Sequence, residues 1–189
     1  MTSCATYPAD RVERCRRRVE AEPVSAAAHY NLGNALMEIN RGREAEAAFR
    51  RALELQPEYP EALVNLGGVL LARWEFQGCI EVNRRAVAAK PALMLAHFNE
   101  GLGHLYLGEA EPMVACFRRA LALEPDHAAS HYYLAVGLLA IGAVVESRRH
   151  LDAATAGGYS PEPDFLKALE KAEGRSAHPV GAAAEQPRI

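Results

Sequence analysis

The chain has 189 residues, of which 50% are hydrophobic and only 7% aromatic, and 36 of them are alanine. That aliphatic content is too high for a disordered chain, and the length suffices for one core or for an array of repeats. With 21 Lys and Arg against 24 Asp and Glu the net charge is -3, which leaves no polybasic footprint, so nucleic acid is not an expected partner.

From the N-terminus, residues 1-8 are expected to be mobile. The opening stretch MTSCATYPADRVERCRRR has no apolar segment ahead of its charges, which argues against a secretory signal. Residues 9-25 read as an N-terminal capping element whose helix, 9-22, ends at Pro23, because proline cannot continue the hydrogen-bond ladder. Pro23, Pro57, Pro91 and Pro125 then recur at intervals of 34, and a fixed period of that size marks an array. The units run over 26-59, 60-93, 94-127 and 128-161, together 26-161. Each holds two stretches with apolar or small residues at i, i+3, i+4 and i+7, the helical period. In the first unit these are AAAHYNLGNALMEI and REAEAAFRRALEL, broken at Asn40 and Gly42. Each unit is therefore an antiparallel helix pair that buries its apolar faces by stacking on its neighbours. Residues 162-173, with Phe165, Leu166 and Leu169 on one face, read as a closing helix, and residues 174-189, without period, read as a disordered tail.

Four cysteines, Cys4, Cys15, Cys79 and Cys116, form no CxxC pair, which fits a reducing compartment better than a disulfide or a structural zinc site. The longest apolar run, 134-145, is about half of the ~20 residues needed to cross a bilayer. Together these features predict a cytoplasmic protein with no membrane span, and the Ala- and Arg-rich composition suggests a bacterial source.

The unit AAAHYNLGNALMEINRGREAEAAFRRALELQPEY resembles the tetratricopeptide repeat, with Leu32, Gly33, Ala45, Phe49, Ala52 and Pro57 at the family's characteristic positions. Leu66, Gly67, Ala86 and Pro91 match in the second unit, and Gly101, Phe117, Ala120 and Pro125 in the third. In the fourth, Leu134, Ala135, Leu138, Leu151 and Ala154 fit, but Tyr159 stands where proline should be. The resemblance implies an all-α fold, an α-α superhelix or solenoid of antiparallel helix pairs, and a scaffold or adaptor for protein partners. It implies no enzyme and no cofactor.

The resemblance also places positions 2, 6, 9 and 13 of each first helix in a concave groove where partner segments dock. Position 6 reads Asn31, Asn65, Asn99 and Tyr133. A row of amides, each both donor and acceptor, can pair with an extended backbone whatever its side chains, and the row is similar to the asparagine ladder of glycosyltransferase-associated arrays. The expected partner-binding residues are Tyr30, Asn31, Asn34, Asn65, Phe98, Asn99, Tyr106, Tyr132 and Tyr133. The partner is a protein or peptide; the alternative is a homo-oligomer joined through the same groove. The family's carboxylate clamp needs Lys and Arg, and Tyr30, Leu95 and Asn99 stand where those cations belong, so an acidic chain terminus is not the expected ligand.

In the third unit His97, Glu100 and His104 occupy positions that face the core, spaced i, i+3 and i+7 on one helix face. An unpaired glutamate there is costly, and a buried His-Glu hydrogen-bond network, shared with Arg or backbone groups, is the plain answer. A metal or small-ligand sensor with His97, Glu100 and His104 as its centre is the reading from a different class. Gly101-Leu102-Gly103 lies inside a helix with no strand before it and cannot cradle phosphate, and no other catalytic motif is present.

Overall fold

The computed structural model describes residues 8-177. The expected mobile N-terminus up to residue 7, and the tail beyond residue 177, lie outside the described residues. Among the described residues ten helices follow one another: α1 (Pro8–Ala21), α2 (Ala26–Glu38), α3 (Gly42–Leu55), α4 (Pro60–Ala72), α5 (Phe76–Ala89), α6 (Met94–Leu107), α7 (Ala110–Leu123), α8 (Ala128–Ala140), α9 (Val144–Ala156) and α10 (Pro163–Ala177). No strand occurs among the described residues. The helices fall into two compact units, one ending at Pro125 and one beginning at Asp126.

The punctuation follows from backbone chemistry. α1, α3, α5 and α7 each end two residues before one of the periodic prolines, since a residue preceding proline is pushed out of the helical region. Within each pair the turn is made by one residue with positive φ, and it recurs every 34 residues: Asn40, Trp74, Gly108 and Gly142. Gly42, which the sequence suggested as part of the first break, instead opens α3. Ser25 caps α2 by accepting the Ala28 N–H at 3.3 Å, and Pro60 supplies the first position of α4, where its missing N–H costs nothing.

In the first unit, successive helices pack on each other from α1 to α7, and α4 also packs on α6. Close approach is what the small residues permit. A β-carbon on Gly33 would lie 2.5 Å from the Phe49 ring and one on Gly101 would lie 2.9 Å from Phe117, so each aromatic ring of the second helix sits directly against the backbone of the first. Phe49, Phe117, Ala45, Ala52 and Ala120 are fully buried as a result.

The second unit comprises α8, α9 and α10. Tyr132, Ala135, Leu151, Ala154 and Leu169 form its buried cluster, with Tyr159, Phe165 and Leu166 packed against it. Two charge-assisted hydrogen bonds of 2.7 Å join Arg148 of α9 to Glu173 of α10. The disordered tail expected from Gly174 needs correction for its first residues, because α10 continues to Ala177. Glycine lowers helix propensity by about 1 kcal/mol without stopping a helix, and Arg175 in the last turn suits the negative end of the helix dipole.

Candidate functional site

The first helices of the pairs, α2, α4 and α6, line an open groove in the first unit with a cavity of about 550 Å³. Asn34, Met37 and Glu38 come from α2, Val64, Asn65 and Gly68 from α4, and Leu95 and Asn99 from α6; Arg11 of α1 completes the N-terminal rim and pairs with Glu38. Asn65 donates through Nδ2 to Asn34 Oδ1 at 2.7 Å, and more weakly to the Tyr30 hydroxyl at 3.5 Å. Asn99 donates to the Val64 carbonyl at 3.4 Å. The amides are thus held in place by internal bonds. In the same groove Leu95 remains 47% exposed, and Met37 is exposed as well.

The structure brings Asn34, Asn65 and Asn99 to this groove, with only the Tyr30 hydroxyl reaching Asn65 from the packing behind it, and places the other expected residues elsewhere. Asn31 is exposed and faces α1, in a smaller cavity of about 280 Å³ with Arg11, Arg14, Cys15, Arg18 and Ala28. Its carbonyl accepts the Cys15 thiol at 3.6 Å. Tyr30 lies against Tyr59 and Phe49, with centroids 5.0 and 6.0 Å apart, and Phe98 packs edge-on to Phe117 at 5.6 Å. Burial, with Tyr30 close by, raises the Tyr59 phenol above its usual pKa.

In the second unit Tyr132 is only 5% exposed, stacked on Tyr159 at 4.5 Å and edge-on to Phe165; it is a core residue, not a groove residue. Tyr133 is half-buried and meets Tyr132 edge-on at 5.3 Å. The physical reason is angular. Tyr30, Phe98 and Tyr132 share position 5 of their units, which lies 100° round the helix from the asparagine position, so these rings turn into the packing.

Tyr106 is exposed but takes part in a different surface. It stacks on Phe76 at 4.7 Å with the rings 7° from parallel, and Trp74, 74% exposed, lies 6.0 Å away. Trp74 and Phe76 escape sequence reasoning because they belong to an interhelical turn and to the start of a second helix, outside the positions assigned to the groove.

The polar cluster of the third helix pair divides. His97 donates Nε2–H to the Pro91 carbonyl at 3.1 Å, and His29 treats the Pro23 carbonyl in the same way at 3.1 Å; a carbonyl only accepts, which fixes the proton on Nε2 in both. His97 is therefore a repeat-joining residue and lies outside the cluster expected for it. His104 Nδ1 faces Glu109 Oε2 at 2.5 Å. Arg84 of α5 donates Nε–H to Glu100 Oε1 at 2.8 Å and reaches His104 Nε2 at 3.3 Å. The buried glutamate is thus satisfied by an arginine, as the network reading expected. The third ligating group beside Glu100 and His104 is Cys116 of α7, and the ligand atoms of these three lie within 4.8 Å of one another. Burial, together with the Glu100 carboxylate, pushes the Cys116 thiol up to about 12. Cys79, whose Sγ–H points to the Asn99 carbonyl at 3.4 Å, is raised by burial to about 11. Single-helix periodicity has no means of finding Cys116, which arrives from the partner helix of the pair.

The family model of the tetratricopeptide repeat matches residues 30-93 and 98-161. The chain belongs to the tetratricopeptide repeat family. Membership implies a scaffold for protein–protein interaction. Among solved structures, a double mutant of MamA from strain RS-1 is similar at a TM-score of 0.75 with 21% identity, covering 81% of this chain and 86% of that one. PilF of Pseudomonas aeruginosa is similar at 0.72 with 18% identity, covering 90% and 86%. A thermophilic tetratricopeptide protein of Thermus thermophilus is similar at 0.62 with 20% identity, covering 88% and 90%. At these identities the likeness is one of fold. No curated protein sequence matches the chain. No helix among the described residues is long and apolar enough to cross a membrane.

Proposed function

We propose that this tetratricopeptide protein is an adaptor that holds an extended segment of another protein along the concave face of its first unit. The observation that carries the reading is the groove lined by Asn34, Asn65 and Asn99, with Leu95 and Met37 exposed in it. Amides satisfy a ligand backbone and exposed aliphatic groups accept its side chains, which is how extended peptides are recognised without a fixed sequence. Internal hydrogen bonds hold the amides before the ligand arrives, which lowers the ordering cost of binding.

The test is a peptide-display selection on the purified chain, followed by affinity measurements on variants whose helicity is unchanged. Leu95→Glu places a charge in the groove and is expected to weaken the selected peptides by about tenfold or more. Asn65→Ala removes one amide and should cost about three- to tenfold. Arg43→Ala, outside the groove, should leave affinity unchanged. Peptides that bind Leu95→Glu as tightly as the parent protein would place the binding surface elsewhere.

A further inference from the structure

We infer that Glu100, His104 and Cys116 form a binding site for a thiophilic divalent cation of the zinc class. The ligand types are a carboxylate oxygen, an imidazole nitrogen and a sulfur, drawn from two packed helices and all but closed off from solvent. Zinc takes this mixture readily in tetrahedral geometry. With bonds of 2.0 to 2.3 Å, neighbouring ligands of a tetrahedral ion stand roughly 3.3 to 3.8 Å apart. Glu100 Oε1 and His104 Nε2 are already 3.8 Å apart, one helical turn from each other on α6, and the three ligand atoms need only close from within 4.8 Å.

Two further observations point to the same ligand. First, His104 carries the support that metal-binding histidines need. Glu109 Oε2 lies 2.5 Å from Nδ1; a carboxylate accepts, so Nδ1 holds the proton and Nε2 is left with its lone pair directed at the cluster. A carboxylate behind an imidazole fixes both tautomer and ring orientation in metal sites. Second, a cation already occupies this position. The Arg84 guanidinium bonds Glu100 Oε1 and His104 Nε2 together, and it does so from a side chain that is 59% exposed on a long flexible stem. It can withdraw into water when an ion takes its place. The exchange balances in charge: the ion's two positive charges meet the Glu100 carboxylate and the Cys116 thiolate, and the thiol proton passes to solvent. Three protein ligands leave a fourth position for water, the arrangement of an exchangeable site rather than a closed structural one. Binding would release α5 from α6 at this point, since Arg84 is the α5 contribution to the cluster.

The experiment uses the full chain, purified without a histidine tag, in equilibrium dialysis against zinc and in optical titration with cobalt. One equivalent of zinc is expected, and the cobalt form should show a near-ultraviolet band from thiolate-to-metal charge transfer. Cys116→Ser should abolish that band, and Glu109→Gln should weaken zinc by about ten- to a hundredfold. His97→Gln should change nothing, because His97 is committed to the Pro91 carbonyl. Arg84→Ala is the decisive variant, since it keeps all three ligands and removes the competing cation: affinity should rise. A lack of stoichiometric zinc, a cobalt spectrum without the thiolate band, or weaker binding in Arg84→Ala would each overturn the site. So would zinc that survives Cys116→Ser but is lost when His131 and His150 are replaced, the two imidazoles of α8 and α9 that stack with centroids 5.1 Å apart and Nδ1 atoms 2.8 Å apart.

Discussion

Gly67 and Gly68 are neighbours in α4, yet an added methyl group meets opposite surroundings at the two. At Gly67 it would lie 2.1 Å from Asn83 Nδ2, whereas at Gly68 nothing lies within 4 Å. Asn83 is fully buried and donates to the Cys79 carbonyl at 2.8 Å, so it has little room to withdraw. Gly68→Ala is therefore expected to stabilise the protein by about 0.5 to 1 kcal/mol by removing backbone freedom from the unfolded chain. Gly67→Ala is expected to cost about 1 to 3 kcal/mol through overpacking. Chemical denaturation of the two variants side by side checks both signs. The small residue at this position was legible in the sequence, because Gly33, Gly67, Gly101 and Ala135 recur every 34 residues. The residue opposite it was less so: Phe49, Phe117 and Leu151 fill the partner position in three units, and Asn83 fills it in the other. Asn83 leaves its Oδ1 buried without a hydrogen-bond partner, a departure that hydrophobic periodicity does not foresee.

At the scale of elements, the end of α9 shows why a family consensus is a poor guide to one chain. Tyr159 stands where the other units have proline, and consensus reasoning would replace it. In the structure its ring stacks on Tyr132 at 4.5 Å with 23° between planes, and its N–H donates to the Ala154 carbonyl at 2.9 Å. Tyr159→Pro removes both the ring and the donor. It is expected to destabilise the second unit by about 1 to 3 kcal/mol, seen as loss of hydrogen-exchange protection in α9 and α10 while α3 and α4 stay protected. Helix ends set by proline were legible to within a residue or two, because the constraint is local. The extension of α10 through Gly174 was not, since a glycine ends a helix or sits inside one according to the residues after it. The position of Tyr132 also needed the structure: its burial depends on Tyr159 and Phe165, which approach it from elsewhere in the chain.

For the whole molecule, the buried thiols and phenols all bias stability in one direction with pH. Burial raises Cys79 and Cys116 from an ordinary thiol value of 9.0 to about 11 and about 12, and it raises Tyr59, Tyr132 and Tyr159 above 10.0. Each group holds its proton more tightly folded than unfolded. Their contribution is complete below about pH 9 and is lost as the pH rises through the folded values. The thermal midpoint should fall steadily between about pH 9 and pH 11, with a shallower slope in Cys79→Ala, whatever that variant's midpoint at neutral pH. A flat profile in the parent protein would contradict the burial of these groups. The architecture itself was the most legible level, because a repeat array is built from nearest-neighbour contacts that return with each period. The groove was legible in Asn65 and Asn99, which follow that period; the period misplaced Asn31, which faces α1, and gave no sign of Arg11, and the polar cluster was illegible where Cys116 enters from α7.

Trp74 has a consequence of another kind. It is the one tryptophan in the sequence, and its backbone takes a φ of 65° at the turn where two of the other three units have glycine, a conformation unfavourable for a bulky residue. The indole is thereby held out in water beside Phe76 and Tyr106. The protein thus carries its own optical label at a single known place: solvent-relaxed emission, open to collisional quenchers, that shifts to shorter wavelength when anything settles over that edge of the first unit.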